Sequence, residues 1–159
     1  MLKRIIVAGL FLWFVATVPV AAAAVSVLVI ETGQPTAFPG NQYSVLWENG
    51  LLEVFFDSGH IVTNAPLLRL DENPAEGFPD EAEQDFNSAR EGGMEYFVIS
   101  IVDTIVDTEE YTVYLRLFST KSQKMIQEQI YKGKKSVSMK DEYQNIKKAA
   151  GVMSAHLNG

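Results

Sequence analysis

Apolar runs rich in β-branched residues recur along the 159-residue chain. The run VSVLVIETG, which begins at residue 25, predicts a strand over residues 25–31 that is buried on both faces. The strongest strand signal is MEYFVISIVDTIVD, over residues 94–107. The segment YTVYLRLFS alternates between two sets of side chains, and KMIQEQIYKG follows it after a tight turn. These last three runs predict an antiparallel meander.

A long amphipathic segment follows the first strand. It predicts a helix from about Gln42 to Ser58, with Gly59 as its C-cap residue. At about 100° per residue, Val45, Leu52 and Phe56 fall within about 40° of one another on the helical wheel. We expect these three residues to form the centre of the buried stripe, extended on one side by Leu51 and Phe55.

Two further helices and one more strand complete the pattern. One helix begins near Pro79 and ends before Gly92, and the last begins after Ser138, which is placed as its N-cap residue. HIVTNAPLLRL predicts the second strand, followed by a turn around Asn64 to Pro66, so the order of elements is β-α-β-α-β-β-β-α. A β-α-β start requires a right-handed crossover. The predicted fold class is α/β, with a five-stranded mixed sheet and helices packed on it, in a single domain over residues 25–159.

The first 24 residues have the pattern of an export signal. MLKR supplies Lys3 and Arg4, an uncharged apolar run follows, and AAAA ends the segment at Ala24. A basic start, an apolar centre and small residues at the end are typical of a cleaved secretory signal peptide. The alternative is an uncleaved membrane anchor, because apolar residues continue to Ile30. Either alternative predicts an exported, periplasmic protein.

Composition excludes several kinds of chemistry. The chain has no cysteine, which excludes disulfides, thiolate metal sites, a cysteine nucleophile and the lipidated cysteine of a lipoprotein. Its formal net charge is −7, and removal of Lys3 and Arg4 with the signal would make it more negative. Such a chain is repelled by phosphate backbones and anionic lipid, so we predict no nucleic-acid partner.

The second half of the chain resembles a known family. GGMEYFVISIVDTIVDTEEYTVYLRLFSTKSQKMIQEQIYKG, followed by a helix, resembles the amino-terminal α/β domain of the periplasmic TolB family, with its curli-channel and penicillin-binding-protein-activator relatives. Residues 93–96 stand at the start of the family's strand, and residues 116–118 at the end of the next. The similarity extends from about Val25 to Leu157. It implies a periplasmic, non-enzymatic module for protein interaction, although the chain lacks both the β-propeller that follows in TolB and the lipidated cysteine of the other relatives.

Glu48 and His60 are the candidates for polar chemistry. Glu48 falls inside the predicted apolar stripe, where burial would raise the pKa of its carboxyl unless it had a partner. With His60 it would serve as the general acid or base of a small hydrolase, or as part of a ligand site. The pattern favours a structural carboxylate at the rim of the stripe, because pairing within the fold also perturbs carboxylates. His60 and His156 provide too few ligands for a metal, so we predict no metal and no cofactor.

A possible interaction surface lies on the same predicted helix. Trp47 and Val54 fall away from the predicted buried stripe, so either a neighbouring loop covers them or they form an apolar patch for a partner. The first hypothesis is a non-catalytic interaction or assembly module of the bacterial envelope. It would present Trp47, Leu51 and Val54, or a sheet edge, to other envelope proteins. The second hypothesis is a periplasmic hydrolase or ligand-binding protein that uses Glu48 and His60.

Overall fold

A computed structural model describes residues 22–33, 42–74, 77–104, 109–135 and 137–158. Residues 1–21, which carry most of the predicted signal peptide or anchor, lie outside the described residues. Cleavage of that segment therefore stays a prediction.

The described chain forms six strands and three helices, with a short 3-10 turn before the second helix and another after the third. The strands are β1 (Ala24–Thr32), β2 (Ile61–Asn64), β3 (Leu68–Leu70), β4 (Tyr96–Asp103), β5 (Glu110–Ser119) and β6 (Met125–Lys134). The helices are α1 (Gln42–Asp57), α2 (Glu83–Glu91) and α3 (Met139–Ala155).

All six strands form one mixed sheet in the order β2-β1-β4-β5-β6, and β3 pairs with β1 beyond the end of β2. β1 is parallel to β2, β3 and β4, whereas β4, β5 and β6 form the predicted antiparallel meander. The predicted α/β class is confirmed. The predicted turn around Asn64 to Pro66 follows β2, and the chain then returns to the sheet as β3, a short strand that was not predicted. The ring nitrogen of Pro66 cannot donate a hydrogen bond to a ladder.

The sheet separates two apolar cores. α1 and α3 cover one face, where they pack on Val25, Val27 and Val29 of β1 and on the inward side chains of β4 and β5. α2 covers the other face, where Phe86 packs with Leu28 and other side chains of β1 and β4. Because β1 and β4 have a core on each side, they are apolar at nearly every position, as parallel central strands usually are.

The buried side of α1 is opposite to the predicted one. Trp47, Leu51 and Phe55 are fully buried, whereas Val45 is 52% exposed and Phe56 is 72% exposed. Apolar side chains occur on both sides of this helical wheel, so periodicity alone does not choose between them. Burial of the large indole removes more apolar surface from water than burial of Val45 would, which favours the observed orientation.

This orientation corrects the predicted interaction face. Trp47 and Leu51 have no exposed surface, and Val54 is partly buried against the same core, so this face of α1 is not available to a partner. A close approach between helices helps to fix it. A Cβ atom added to Gly50 would lie 2.5 Å from Cγ2 of Ile146 on α3, so only glycine fits at this point.

Candidate interaction surface

Glu48 and His60 have separate partners in the structure. Asn64 Nδ2 on β2 donates a hydrogen bond to Glu48 Oε1 at 2.7 Å. His60 is buried, its Nδ1 accepts a hydrogen bond from the Ala23 N–H at 3.3 Å, and its Nε2 lies 3.4 Å from Ser154 Oγ on α3. Burial lowers the pKa of the imidazole, which favours a neutral ring. Both side chains therefore connect elements of the fold to one another.

A buried carboxylate that the sequence analysis did not single out lies in the core. Glu142 of α3 is almost completely buried and accepts hydrogen bonds from the hydroxyl of Tyr111 and, at 3.0 Å, from that of Tyr131. Burial raises the pKa of its carboxyl, and a hydrogen bond from Asn145 partly opposes that effect. The helical pattern did indicate that Glu142 is buried, since it lies one turn before Ile146 on the buried side of α3.

Glu142→Gln is expected to abolish the fall in the free energy of unfolding that ionisation of Glu142 causes as the pH rises. Because the pKa of Glu142 is raised above the unfolded value of 4.5, the folded protein binds more protons than the unfolded protein between the two pKa values. The free energy of unfolding therefore falls as the pH rises through this interval, by at most about 1.4 kcal/mol per pH unit for one proton. The amide still pairs with both tyrosine hydroxyls, so the variant should be at least as stable as the wild type at neutral pH.

Urea unfolding between about pH 4 and about pH 8 measures this difference. Glu53→Gln is the matched control, because a hydrogen bond from Lys147 lowers the pKa of Glu53. Its contribution to stability is present above the unfolded pKa and is lost on acidification, which is the opposite sign. Parallel pH profiles for the wild type and Glu142→Gln would contradict the burial of an ionisable carboxyl at this position.

The outward side of α1 carries an apolar surface. Val45, Leu52 and Phe56, which we call the outer stripe, lie on the side of the helix opposite Trp47. Phe56 and Val45 are exposed, and Leu52 is partly exposed. An exposed phenyl ring leaves a large apolar area in water, and clustered apolar side chains on a helix are typical of sites that bind another protein.

Polar contacts border the outer stripe on both sides. On one side, the Glu48–Asn64 hydrogen bond connects α1 to β2. On the other, Lys147 Nζ lies 2.7 Å from Glu53 Oε1, and the Tyr143 hydroxyl donates to the other oxygen of the same carboxylate, which raises the pKa of Tyr143 to about 12. A rim of polar groups around an apolar centre is the usual anatomy of a protein interface.

One depression on the described surface lies away from Glu48 and His60. A depression beside α2 is lined by side chains of residues 80–91 alone, most of them acidic, and neither Glu48 nor His60 reaches it. Within the described ranges, no three His, Asp or Glu side chains are grouped so as to hold a metal ion. No helix in that part of the chain has the length and apolar character needed to cross a membrane.

No family model matches the chain, and no curated protein matches its sequence. Solved structures do match it. The PelC dodecamer from Paraburkholderia phytofirmans matches with a TM-score of 0.51 and 16% identity, over 82% of this chain and 86% of the PelC chain. A variant of the same PelC matches with a TM-score of 0.53 and 15% identity over the same shares. At these identities the similarity shows a shared fold, so the chain has an α/β fold of the PelC type.

Two other matches bear on the predicted resemblance. TolB from Acinetobacter baumannii matches with a TM-score of 0.43 and 14% identity, over 84% of this chain and 27% of TolB. The lipoprotein GNA1162 from Neisseria meningitidis matches with a TM-score of 0.47 and 11% identity, over 81% of this chain and 96% of that one. TolB, whose amino-terminal domain the sequence resembles, is therefore among the solved structures that match this chain. The prediction that this chain is not a lipoprotein rests on its lack of cysteine and gains no support from GNA1162.

Proposed function

We propose that the protein is an exported, non-catalytic module of the bacterial cell envelope that binds another envelope protein through the outer stripe of α1. The observation that carries this proposal is the outer stripe itself, in which Phe56 is 72% exposed beside Val45 and Leu52. Removing this apolar surface from water would supply a driving force for association. Supporting evidence comes from the fold, which is shared with a protein described as a dodecamer.

The contacts of Glu48 and His60 do not favour the hydrolase alternative. That alternative requires the two side chains to act together, whereas Glu48 is bonded to Asn64, and His60 Nε2 lies 3.4 Å from Ser154 Oγ. A general base must lie within hydrogen-bond reach of the proton that it removes. Both ring nitrogens of His60 already have neighbours inside the fold, and its side chain is not exposed.

A photo-crosslinking side chain in place of Phe56 tests the proposed surface in cells. We expect it to give covalent products with a discrete envelope protein, because the ring of Phe56 would lie against that partner. The matched control carries the same crosslinker in place of Gln84, which is exposed on α2, on the opposite side of the sheet. Products at both positions alike, or at neither, would contradict the proposal.

Leu52→Asp in the Phe56-crosslinker protein provides a second measurement. A charge in the centre of the outer stripe should abolish the product, since an interface leaves an unpaired carboxylate poorly solvated. Leu52 is partly buried and also packs against the core under α1, so the variant should lose some stability, and thermal unfolding of the purified protein checks that it remains folded. Loss of the product with a preserved unfolding transition assigns the effect to the surface.

A further inference from the structure

β6 forms one edge of the sheet. Among the described strands it pairs only with β5, so one side of its backbone has no partner strand there. The Lys135 N–H donates to the Glu109 carbonyl at 2.8 Å, which fixes the alternation along the strand. From Gln127 to Lys134, odd-numbered residues bond to β5, and even-numbered residues direct their N–H and C=O groups outward; a register shift interrupts this alternation at Ile126. The outward-directed residues are Glu128, Ile130, Lys132 and Lys134.

The outward-directed residues also share one face of the sheet. Across the ladder, Ile130 lies opposite Tyr114 and Glu128 lies opposite Arg116, so their side chains lie on the face that α2 covers farther along. The Arg116 Nε–H donates to Glu128 Oε1 at 2.8 Å, so a lysine of a second copy would join an existing ion pair. Ile130 is 55% exposed, and Met125 and Ile126 at the start of β6 are exposed as well. An edge strand of ten residues with three exposed apolar side chains is a template for pairing with another strand.

The sequence of this edge is complementary to itself. In an antiparallel pair centred on Ile130, each Glu128 lies opposite Lys132 of the second copy, and Ile130 lies opposite its own counterpart. All these residues are outward-directed, so the backbone hydrogen bonds form in the same register. Opposite charges and apolar side chains placed directly across a ladder each stabilise it.

Other registers are less favourable. A slide by two residues places Ile130 opposite Glu128 or Lys132 of the second copy. A slide by four places Glu128 opposite Glu128, or Lys132 opposite Lys132, and like charges across a ladder are destabilising. The slide that places Ile130 opposite Lys132 also places Glu128 opposite Lys134, so it keeps two opposite-charge pairs but loses the apolar contact of Ile130 with its counterpart. The register centred on Ile130 is therefore the one that combines Glu128–lysine pairs with an Ile130–Ile130 contact.

We infer that two copies of the chain pair through β6 in antiparallel orientation, with Ile130 on the two-fold axis, to form a sheet that is continuous across the dimer. This contact goes beyond the proposed function. The outer stripe lies on α1, which covers the other face of the sheet, so one surface can fail its test while the other passes.

The mass of the full chain in solution tests the inference. We expect light scattering on a sizing column to give twice the monomer mass for the wild type, and the monomer mass for Lys132→Glu, which places carboxylates opposite one another. Lys134→Glu is the matched control. In the inferred register, Lys134 faces the uncharged Ile126 of the second copy, so this variant should remain a dimer. A monomeric or larger wild type, or an unchanged Lys132→Glu dimer, would overturn the inference.

A single engineered cysteine gives an independent readout, because the chain has none of its own. Ile130→Cys should form a covalent dimer on mild oxidation, since the two side chains meet at the axis. Glu91→Cys, exposed at the end of α2, should stay monomeric on a reducing-agent-free gel. If oxidation links both variants equally, the contact at β6 is not specific and the inference is wrong.

Discussion

Trp47→Ala is expected to lower the free energy of unfolding by about 3–5 kcal/mol, whereas Phe56→Ala should change it by about 0.5 kcal/mol or less. Both substitutions remove a large aromatic ring from the same helix. Trp47 is fully buried, and its indole lies 5.2 Å from the Tyr131 ring, so its loss leaves a cavity. Phe56 is 72% exposed and leaves none. Urea unfolding at neutral pH measures both changes.

Trp47→Phe provides an intermediate variant. The Trp47 Nε1–H is buried and has no hydrogen-bond partner among the described residues, so removing it leaves no acceptor there without its donor. This substitution should cost clearly less than Trp47→Ala because a ring still fills most of the space. If Phe56→Ala proved as costly as Trp47→Ala, the orientation of α1 in the structure would be wrong.

The same pair of variants separates stability from binding. Phe56→Ala should weaken association with the proposed partner while the unfolding transition stays in place. Trp47→Ala should reduce both, because the fold that presents the outer stripe is itself destabilised. A partner that binds Phe56→Ala as tightly as the wild type would require a different surface.

Most of the strands could be predicted from the sequence. β1 and β4 lie between two cores, so they are apolar at almost every position and have an unmistakable pattern. β5 and β6 follow as a meander because short turns separate them. The turn after β2 was predicted around Asn64 to Pro66, but the short strand β3 that follows it was not.

The orientation of α1 could not be predicted from its own residues. Apolar residues on both sides of the wheel give two plausible buried faces, and the choice depends on what packs against each. The structure shows that Gly50 permits contact with Ile146, which lies far along the chain on α3. Gly50 was therefore a clue to the inner face, but its meaning required the partner helix.

For a related reason, the sequence did not show that Glu48 and His60 have separate partners. Glu48 and His60 are close in sequence, but α1 ends between them, and each side chain reaches a different element.

For Glu142, the position in the sequence did not reveal the contacts of its carboxylate. Glu142 lies in the first turn of α3, where the helix dipole favours an acidic residue, but its tyrosine partners come from β5 and β6. The helical pattern indicates that Glu142 is on the buried side, but it does not indicate which distant side chains bind the carboxylate.

Gly133→Ala is expected to destabilise the protein by about 3 kcal/mol, near the upper end for overpacking of a core. A Cβ atom at Gly133 would lie 2.2 Å from Cε1 of the Tyr111 ring. That ring cannot move aside easily, because its centroid lies 4.5 Å from that of Tyr43 and its hydroxyl is bonded to Glu142. The expected loss therefore combines steric strain with disturbance of the buried carboxylate, and urea unfolding measures it.

A matched substitution and a double mutant identify the cause. Gly151→Ala lies on the exposed side of α3 with nothing within 4 Å of the added Cβ, so it should stabilise the protein by up to about 1 kcal/mol. In a Tyr111→Leu background, which removes the clashing ring, Gly133→Ala should cost less than about 1 kcal/mol. If Gly133→Ala costs the same in the wild-type and Tyr111→Leu backgrounds, the β6 backbone itself requires glycine at this position, and a clash with the Tyr111 ring is not the cause.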